Sequence, residues 1–395
     1  MNAATKSANT LANPQEVTSF PPIPMLDLTR QYQGLKPLLD TAVLDVMASG
    51  CFILGPQVHA FEQEAAAFCQ TKFSVGVASG TDALYLALRA LDIGQNDEVI
   101  TTAFSYIATS EAIAQTGAKP VFADIAPDGS FNIDLSHIET LITPNTKAIL
   151  PVHLFGQPVA MAPLMALANR HGLPVIEDCA QAMGAMSLNE AGIMQPVGSF
   201  GAMGCFSFFP TKNLGAFGDG GLITTQHEDL NERLKMLRAH GSRKRYYHEE
   251  PGLNSRLDEL QAAILRVKLP HLLSWNNARR EVASRYSALF EAQNPSVICP
   301  HELNETYHVF HQYTILLPEG TRDTVMNALS AKQIACSIYY PVPLHLQATH
   351  AMLGYQPGSL PLVETAAQRV LSLPIFPEIS PQEQTRVVDT ILSVL

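Results

Sequence analysis

A chain of 395 residues, 47% of them hydrophobic and 15% charged, can bury a large core. Single cores stop growing near about 250–300 residues, so we expect two domains. The net charge of −11 argues against a nucleic-acid partner, because nucleic-acid binders carry a basic face.

The first 20 residues are polar and contain no apolar run of signal-peptide length, so we expect a flexible N-terminal arm. No stretch of the chain approaches the roughly 20 apolar residues of a membrane span, and we expect no membrane partner. The six cysteines show no paired spacing, which is typical of reduced thiols in a cytoplasmic protein.

Residues 75–91 (VGVASGTDALYLALRAL) predict a short apolar strand, a Ser-Gly-Thr turn and a helix. Gly80 and Thr81 then lie at a helix N-terminus, where free N–H groups and the helix dipole favour a phosphate group. The alternative is that Ser79 or Thr81 only caps the helix, which is a routine role for these residue types.

Two segments that follow add an aromatic ring and an acid. Phe104 and Tyr106 come just after the apolar pair at 99–100, where either ring can stack on a ligand or belong to the core. Asp178 lies at the end of an apolar run that begins at Leu173, and ligands of open α/β sheets bind at such strand ends. An acid at a strand tip is also often a helix cap, and Gln181 follows three residues later.

The stretch SFFPTKNLGAFGDGG, residues 207–221, places Lys212 between an aromatic strand-like run and a string of glycines. Apolar neighbours such as Phe208 and Leu214 lower the pKa of an amine toward nucleophilic use, as a Schiff-base lysine requires. The alternative is a lysine that extends its amine into solvent.

Apolar strands alternate with amphipathic helices between residues 75 and 225, which predicts an α/β fold with a mostly parallel sheet covered by helices. Residues 254–290 predict long helices bent at Pro270. We expect a large domain over residues 21–270 and a smaller C-terminal α/β domain over residues 271–395.

His308 and His311 form an H-x-x-H pattern within YHVFHQYTILL, which alternates like a strand. No acid or cysteine of ligand spacing lies nearby, so a structural role is favoured and no metal site is expected.

Together these segments resemble the DegT/StrS family of nucleotide-sugar aminotransferases, which depend on pyridoxal 5′-phosphate (PLP). The resemblance begins at residue 23 and covers nearly the whole chain. It is carried by IPMLDLTRQY, FILGPQVHAFEQE, ASGTDAL, DEVITTAFSYIAT, GAKPVFADI, PVHLFGQ, VIEDCAQAMGA, SFFPTKNLGAFGDGG, GLNSRLDELQAA, YYPVPLHLQ and LSLPIFPEIS. The family implies PLP fold-type I, like aspartate aminotransferase, with a large domain and a smaller C-terminal one.

The resemblance also implies how the ring of PLP is held. Lys212 is the expected Schiff-base lysine and Asp178 the expected partner of the pyridine nitrogen. Gln181 is the expected partner of the phenolic oxygen, and Tyr106 is expected to stack on the ring.

For the phosphate of PLP, the resemblance implies Gly80, Thr81 and Ser207. Asn254 is expected to reach the phosphate from the neighbouring subunit. That role implies a homodimer with shared active sites.

The expected reaction is transfer of an amine from glutamate to a keto-sugar nucleotide. The product is an aminosugar nucleotide for the biosynthesis of a surface polysaccharide, such as lipopolysaccharide, or of a glycoside. The family's sugar 3-dehydratases have histidine where this chain has Lys212, so the lysine favours transamination. Two alternatives are another PLP chemistry on the same scaffold and a non-enzymatic member, which is expected to have lost Lys212 or Asp178.

The substrate is less defined. The stretch HGSRKRYYHEEPGLNSRLDELQAAILRVKL is more similar to members that aminate C3 than to those that act at C4, and the nucleotide is UDP or dTDP. The basic run at 238–245 is either a loop that binds the diphosphate or a solvated face. The candidate substrate contacts are Arg256, Tyr339, Tyr340 and His345.

Overall fold

The computed structural model describes residues 21–395; the predicted N-terminal arm, residues 1–20, lies outside the described residues. The helices are α1 (Leu28–Ser49), α2 (Pro56–Phe68), α3 (Gly80–Ala90), α4 (Ala108–Gln115), α5 (Leu135–Leu141), α6 (Met161–His171), α7 (Glu228–Leu237), α8 (Glu259–Lys268), α9 (Leu272–Gln293), α10 (Arg322–Ala331), α11 (Pro361–Arg369) and α12 (Pro381–Leu392). The strands are β1 (Phe73–Val77), β2 (Glu98–Thr102), β3 (Lys119–Ala123), β4 (Thr146–Leu150), β5 (Ile176–Asp178), β6 (Met186–Leu188), β7 (Met194–Pro196), β8 (Met203–Ser207), β9 (Gly221–Thr225), β10 (Thr306–Tyr307), β11 (Tyr313–Leu316) and β12 (Val370–Leu373). Across residues 21–395, no helix combines the length and the apolar character needed to cross a bilayer.

The central sheet joins a four-stranded part, in the order β1-β9-β8-β5, to a three-stranded part, in the order β3-β2-β4. Parallel bridges at Ile149–Val175 and Val152–Asp178 link the two parts. β9 runs antiparallel to β8 and β1, while the other strands share one direction. The prediction of a mostly parallel sheet is confirmed, and the carboxyl ends of β1, β2, β5 and β8 lie along one edge.

Helices cover both faces of the sheet, as two neighbouring residues of β2 show. Val99 lies in a core cluster with Leu84 and Leu88 of α3, whereas Ile100 lies in one with Leu164 of α6. Successive side chains of a strand point to opposite faces, so a strand covered on both sides is a continuous apolar run. This packing holds α3 against the strands whose ends form the site.

The long helices predicted around Pro270 are present as α8 and α9, with a short 3₁₀ helix, Leu269–His271, between them. Residues of α9, β11, β12 and α12 form a separate core around Tyr286 and Tyr313, which Ile23 also joins. The division into domains at residues 21–270 and 271–395 stays a prediction.

The strand predicted across the H-x-x-H segment is interrupted. Only Thr306–Tyr307 and Tyr313–Leu316 are strands, and Phe310 between them has a left-handed φ of 42°. The ring of His308 stacks on that of Phe310 with centroids 3.7 Å apart. A residue with positive φ cannot continue an extended strand, so the alternation in sequence does not become a single β-strand here.

Candidate active site

The carboxyl ends of β1, β2, β5 and β8 open into a cavity of about 650 Å³. Most of the residues that the sequence predicts for the site line this cavity. They are Gly80, Thr81, Tyr106, Asp178, Gln181, Ser207, Lys212, Tyr339 and Tyr340.

The turn after β1 presents the N-terminus of α3 to the cavity. Ser79 caps this helix, because its hydroxyl oxygen accepts the backbone N–H of Asp82 at 3.1 Å. The first N–H groups of a helix have no acceptor within it, which leaves those of Gly80 and Thr81 for an anion. A Cβ on residue 80 would lie 2.7 Å from the Cβ of Ser207, so only glycine lets the helix end approach β8 this closely.

Asp178 is the last residue of β5 and is buried at the cavity wall. One carboxylate oxygen accepts the N–H of Ala180 at 3.1 Å, and the other accepts the hydroxyl of Thr109 at 2.8 Å. Burial raises the pKa of Asp178, and these two donors and the Lys212 amine oppose that rise. An ionised carboxylate has about four lone-pair sites, so Asp178 can accept a further donor from the cavity.

Behind Asp178, a second buried carboxylate fixes the end of β5. Glu177 accepts three backbone N–H groups from residues 198–201 and lies 3.2 Å from Nε2 of His153. Glu177, His153 and Cys179 are close enough to share a metal ion, with ligand atoms within 4.8 Å of one another. The other ring nitrogen of His153 accepts a backbone N–H. Both side chains are therefore engaged in the protein's own hydrogen bonds.

Lys212 lies in the tight loop between β8 and β9, where its backbone N–H donates to the carbonyl of Phe209 at 2.8 Å. Its half-buried side chain reaches the cavity. Burial lowers the pKa of the amine to about 8, although the Asp178 carboxylate acts in the opposite direction. At neutral pH about a tenth of this lysine is therefore an uncharged nucleophile, far more than of a lysine with an unshifted pKa.

The side-chain amide of Gln181 is held in one orientation. Its oxygen accepts the backbone N–H of Phe155 at 2.7 Å, and its nitrogen donates to the hydroxyl of Tyr340 at 3.1 Å. An amide nitrogen carries two N–H groups, so one N–H of Gln181 remains for a ligand in the cavity.

The two aromatic candidates after β2 have different environments. Phe104 is fully buried in a core cluster with Phe131 and Phe155, whereas Tyr106 is 58% exposed and lines the cavity. The Tyr106 ring lies 6.4 Å from that of Tyr340. Tyr106 is thus the ring that a ligand can contact.

Three predicted site residues do not line the cavity. Asn254 is exposed on the segment before α8, and Arg256 is half-buried two residues further on. His345 is buried, and its Nε2 lies 3.1 Å from a carboxylate oxygen of Glu364. The substrate-binding or cofactor-binding roles of these three residues stay predictions.

The cavity residues that the sequence did not predict for the site include Thr109 and His311. Thr109 is the last residue of the stretch DEVITTAFSYIAT, but its hydrogen bond to Asp178 joins residues that are 69 positions apart in the chain. His311 lies 3.2 Å from the side-chain oxygen of Asn213, and burial holds the pKa of its imidazole well below the usual value. The sequence carries no signal that separates His311 from the core residue His308.

Fold and site together define a class of protein, the PLP-dependent enzymes of fold-type I. The chain belongs to the DegT/DnrJ/EryC1/StrS aminotransferase family, whose model matches residues 35–392. It is 50% identical over 370 residues to a "pleiotropic regulatory protein" of Geobacillus stearothermophilus, covering 93% of this chain and 97% of that one. It is 47% identical over 374 residues to a UDP-N-acetyl-3-dehydro-α-D-glucosamine 3-aminotransferase of Acidithiobacillus ferrooxidans, covering 94% and 98%. Among solved structures, it superposes with a TM-score of 0.90 on DesV of S. venezuelae in complex with a ketimine intermediate, at 44% identity over 95% of this chain and 98% of that one.

The chain is therefore an aminotransferase, and PLP is its cofactor. The donor set suits this cofactor: a helix N-terminus for a phosphate, a buried carboxylate for a protonated ring nitrogen and an amine with a lowered pKa. Because residue 80 is a glycine, which the close contact with Ser207 requires, it places no side chain over the helix N-terminus where a phosphate would bind.

Proposed function

We propose that the protein transfers an amine from glutamate to C3 of a UDP- or dTDP-linked 3-keto sugar, giving an aminosugar nucleotide for a surface polysaccharide, such as lipopolysaccharide, or for a glycoside. The observation that carries the proposal is the pair of Lys212 and Asp178 in one cavity, the amine with a lowered pKa and the carboxylate buried. The name of the Acidithiobacillus relative supports amination at C3.

PLP, when bound, supplies an electron sink for bonds at the amine-bearing carbon. The chain contributes a proton carrier at Nζ of Lys212, which accepts and returns a proton readily because its pKa of about 8 lies near physiological pH. Asp178 would hold the proton of the ring nitrogen through a carboxylate oxygen, and this charge pair would keep the ring cationic.

The remaining cofactor contacts orient the ring. Tyr106 offers its exposed face for stacking, and the free N–H of Gln181 is the donor for the phenolic oxygen. Gly80, Thr81 and Ser207, which line the cavity at the N-terminus of α3, would hold the phosphate, and the helix dipole would stabilise its negative charge.

Tyr339 and Tyr340 support a sugar site, because both line the cavity and come from the C-terminal part of the chain. The hydroxyl of Tyr340 accepts from Gln181, so its own proton is available to a substrate oxygen. We also propose Arg256 and His345 as substrate-binding residues, although neither lines the cavity of its own chain. His345 is buried beside Glu364 and would act through its neighbours and not by direct contact.

We also propose a homodimer, in which Asn254 of each chain completes the phosphate site of its partner. The support is that Asn254 is exposed and lies outside its own chain's cavity. Helix α1 moreover exposes large apolar side chains, at 56% for Leu38, 62% for Leu44 and 58% for Met47. Leu44 and Met47 are three residues apart and so lie on the same side of the helix, and exposed apolar side chains of this kind are common at protein interfaces.

The basic run at 238–245 supports only part of a diphosphate site. Arg238 is buried and donates to Glu62 and to the carbonyl of Gly76, so it belongs to the core. Lys244 and Arg245 lie over exposed tyrosine rings and are accessible to an anionic ligand.

The free thiols of the described residues are consistent with a cytoplasmic enzyme.

The name of the Geobacillus relative raises a second candidate, a regulatory role. A protein that had given up catalysis would have no need of an amine with a lowered pKa beside a buried carboxylate. The retention of both groups in one cavity favours the enzyme.

The test is the visible absorption spectrum of the purified protein with PLP, then with excess glutamate. We expect a visible band of bound cofactor that glutamate converts to a pyridoxamine-like spectrum. Lys212→Ala should not form that band, whereas Lys147→Ala, at an exposed strand position, should form it. UDP- and dTDP-linked 3-keto sugars should then restore the original band. A band that glutamate leaves unchanged would contradict transamination from this donor.

A further inference from the structure

A chain of two hydroxyl groups leads to the Asp178 carboxylate. The hydroxyl of Thr109 lies 2.8 Å from one Asp178 oxygen, and the hydroxyl of Ser105 lies 2.8 Å from that of Thr109. Both side chains are buried, Thr109 at 1% exposure and Ser105 at 5%, although both border the cavity.

The direction of this chain depends on the charge of Asp178. An ionised carboxylate only accepts hydrogen bonds, so Thr109 must donate to it. The oxygen of Thr109 is then an acceptor for Ser105, and both hydroxyl protons point toward the acid. Aligned hydrogen bonds of this kind strengthen one another in a buried environment.

Asp178 needs this support because burial works against its charge and raises its pKa. The groups that oppose burial are two hydrogen-bond donors, the Ala180 N–H and the Thr109 hydroxyl, and the charges of the nearby Lys212 and His153. The Ala180 N–H belongs to the turn after β5, whereas Thr109 is in α4. Thr109 therefore fixes the carboxylate from a second, independent element.

We propose that Thr109, with Ser105 donating to it, is a positioning residue that holds the Asp178 carboxylate ionised and in the orientation that the ring nitrogen of PLP requires. The inference rests on the proposed role of Asp178. Although Thr109 borders the cavity, its hydroxyl donates to Asp178 and accepts from Ser105, so Thr109 acts through the acid.

The experiment compares Thr109→Val, which removes the hydroxyl at nearly constant shape, with Thr109→Ser, which keeps it. The matched control is Ser110→Ala, one residue further along α4, whose hydroxyl bonds His350 instead of Asp178. For each full-length protein we would measure three quantities. They are the dissociation constant of PLP from the apoprotein, the absorption spectrum of the bound cofactor, and the rate of the half-reaction in which glutamate converts the bound cofactor to its pyridoxamine form.

For Thr109→Val we expect the dissociation constant of PLP to rise about tenfold, the loss typical of a hydrogen bond to a charged group. The limiting rate of the half-reaction should fall by a similar factor without a change in the glutamate concentration that half-saturates it. The spectrum should shift relative to wild type, and Thr109→Ser should restore all three. Ser105→Ala should change them in the same direction by less, and it serves as the test if Thr109→Val does not fold.

Thr109→Val that matches Ser110→Ala in all three measurements would overturn the inference. Asp178→Asn, measured beside the other variants, distinguishes failure of the inference about Thr109 from failure of the proposed role of Asp178. If Asp178→Asn is impaired while Thr109→Val is not, the inference about Thr109 alone is wrong. If Asp178→Asn also matches wild type, the proposed role of Asp178 is wrong and the inference fails with it.

Discussion

The buried amine of Lys268 predicts how the stability of the protein varies with pH. Lys268 ends α8 and is 1% exposed; its Nζ donates to the carbonyl of Gly215 at 2.7 Å and lies 4.3 Å from the centroid of the Phe217 ring. Burial lowers the pKa of this amine from 10.5 to about 8. We predict that Lys268→Met removes a pH-dependent part of the free energy of unfolding.

The sign follows from proton binding. Between the two pKa values the unfolded chain binds the proton and the folded chain does not, so the free energy of unfolding rises with pH across this window. At about 1.4 kcal/mol per pKa unit, the fall from 10.5 to about 8 corresponds to about 3 kcal/mol in all. The Phe217 ring attracts the charged form, which makes this an upper limit. Between about pH 7.5 and 9 the expected rise is about 1 kcal/mol.

The assay is urea unfolding of the PLP-saturated protein at a series of pH values. The free energy of unfolding of wild type minus that of Lys268→Met should rise by about 1 kcal/mol between about pH 7.5 and 9. Lys147→Met, which replaces an exposed lysine of β4, should show the pH dependence of wild type. If wild type and Lys268→Met gave parallel curves from neutral to alkaline pH, the assignment of a lowered pKa to Lys268 would be refuted.

Three further results are expected. Gly80→Ala should weaken PLP binding about tenfold in an equilibrium titration, because its Cβ would lie 2.7 Å from that of Ser207; unchanged affinity would show that the helix end can shift. Phe104→Ala should lower the free energy of unfolding by about 3–5 kcal/mol, whereas Tyr106→Ala should leave the melting temperature unchanged and cost about 1 kcal/mol of PLP binding; the reverse pattern would exchange their roles. PLP capture by the apoprotein should accelerate with pH up to about 8 and then level off, because only the neutral Lys212 amine attacks; a pH-independent rate would contradict the lowered pKa.

Local motifs made much of the site predictable. Asp178 ends a strand, and Gly80 and Lys212 lie three and five residues after one, so the strand pattern placed all three at one edge of the sheet before any distance was known. The predicted helix cap is also present: Ser79 caps the helix, and Gly80 and Thr81 line the cavity.

Contacts between distant segments were not predictable. Phe104 and Tyr106 are both aromatic and both follow β2, and only the turn after the strand decides which ring is buried. Thr109 and His311 reach the cavity through packing of α4 and of the segment before β11, for which a single sequence has no pattern. Likewise, the alternation of apolar and polar residues predicted one strand across Phe310, whose left-handed backbone an extended strand does not allow.

The parallel pairing of β5 with β8 sets Asp178 opposite Cys205, two residues before the end of β8 at Ser207. The spacing between the acid and the lysine-bearing loop is thus fixed by main-chain hydrogen bonds of the sheet. The tyrosines at 339 and 340 arrive from a different part of the chain, and Tyr340 is tied to the inner site through its hydrogen bond with Gln181. On the proposed assignment of Tyr339 to the substrate, its replacement can change the choice of sugar while the spacing of Asp178 and Lys212 stays set by the sheet.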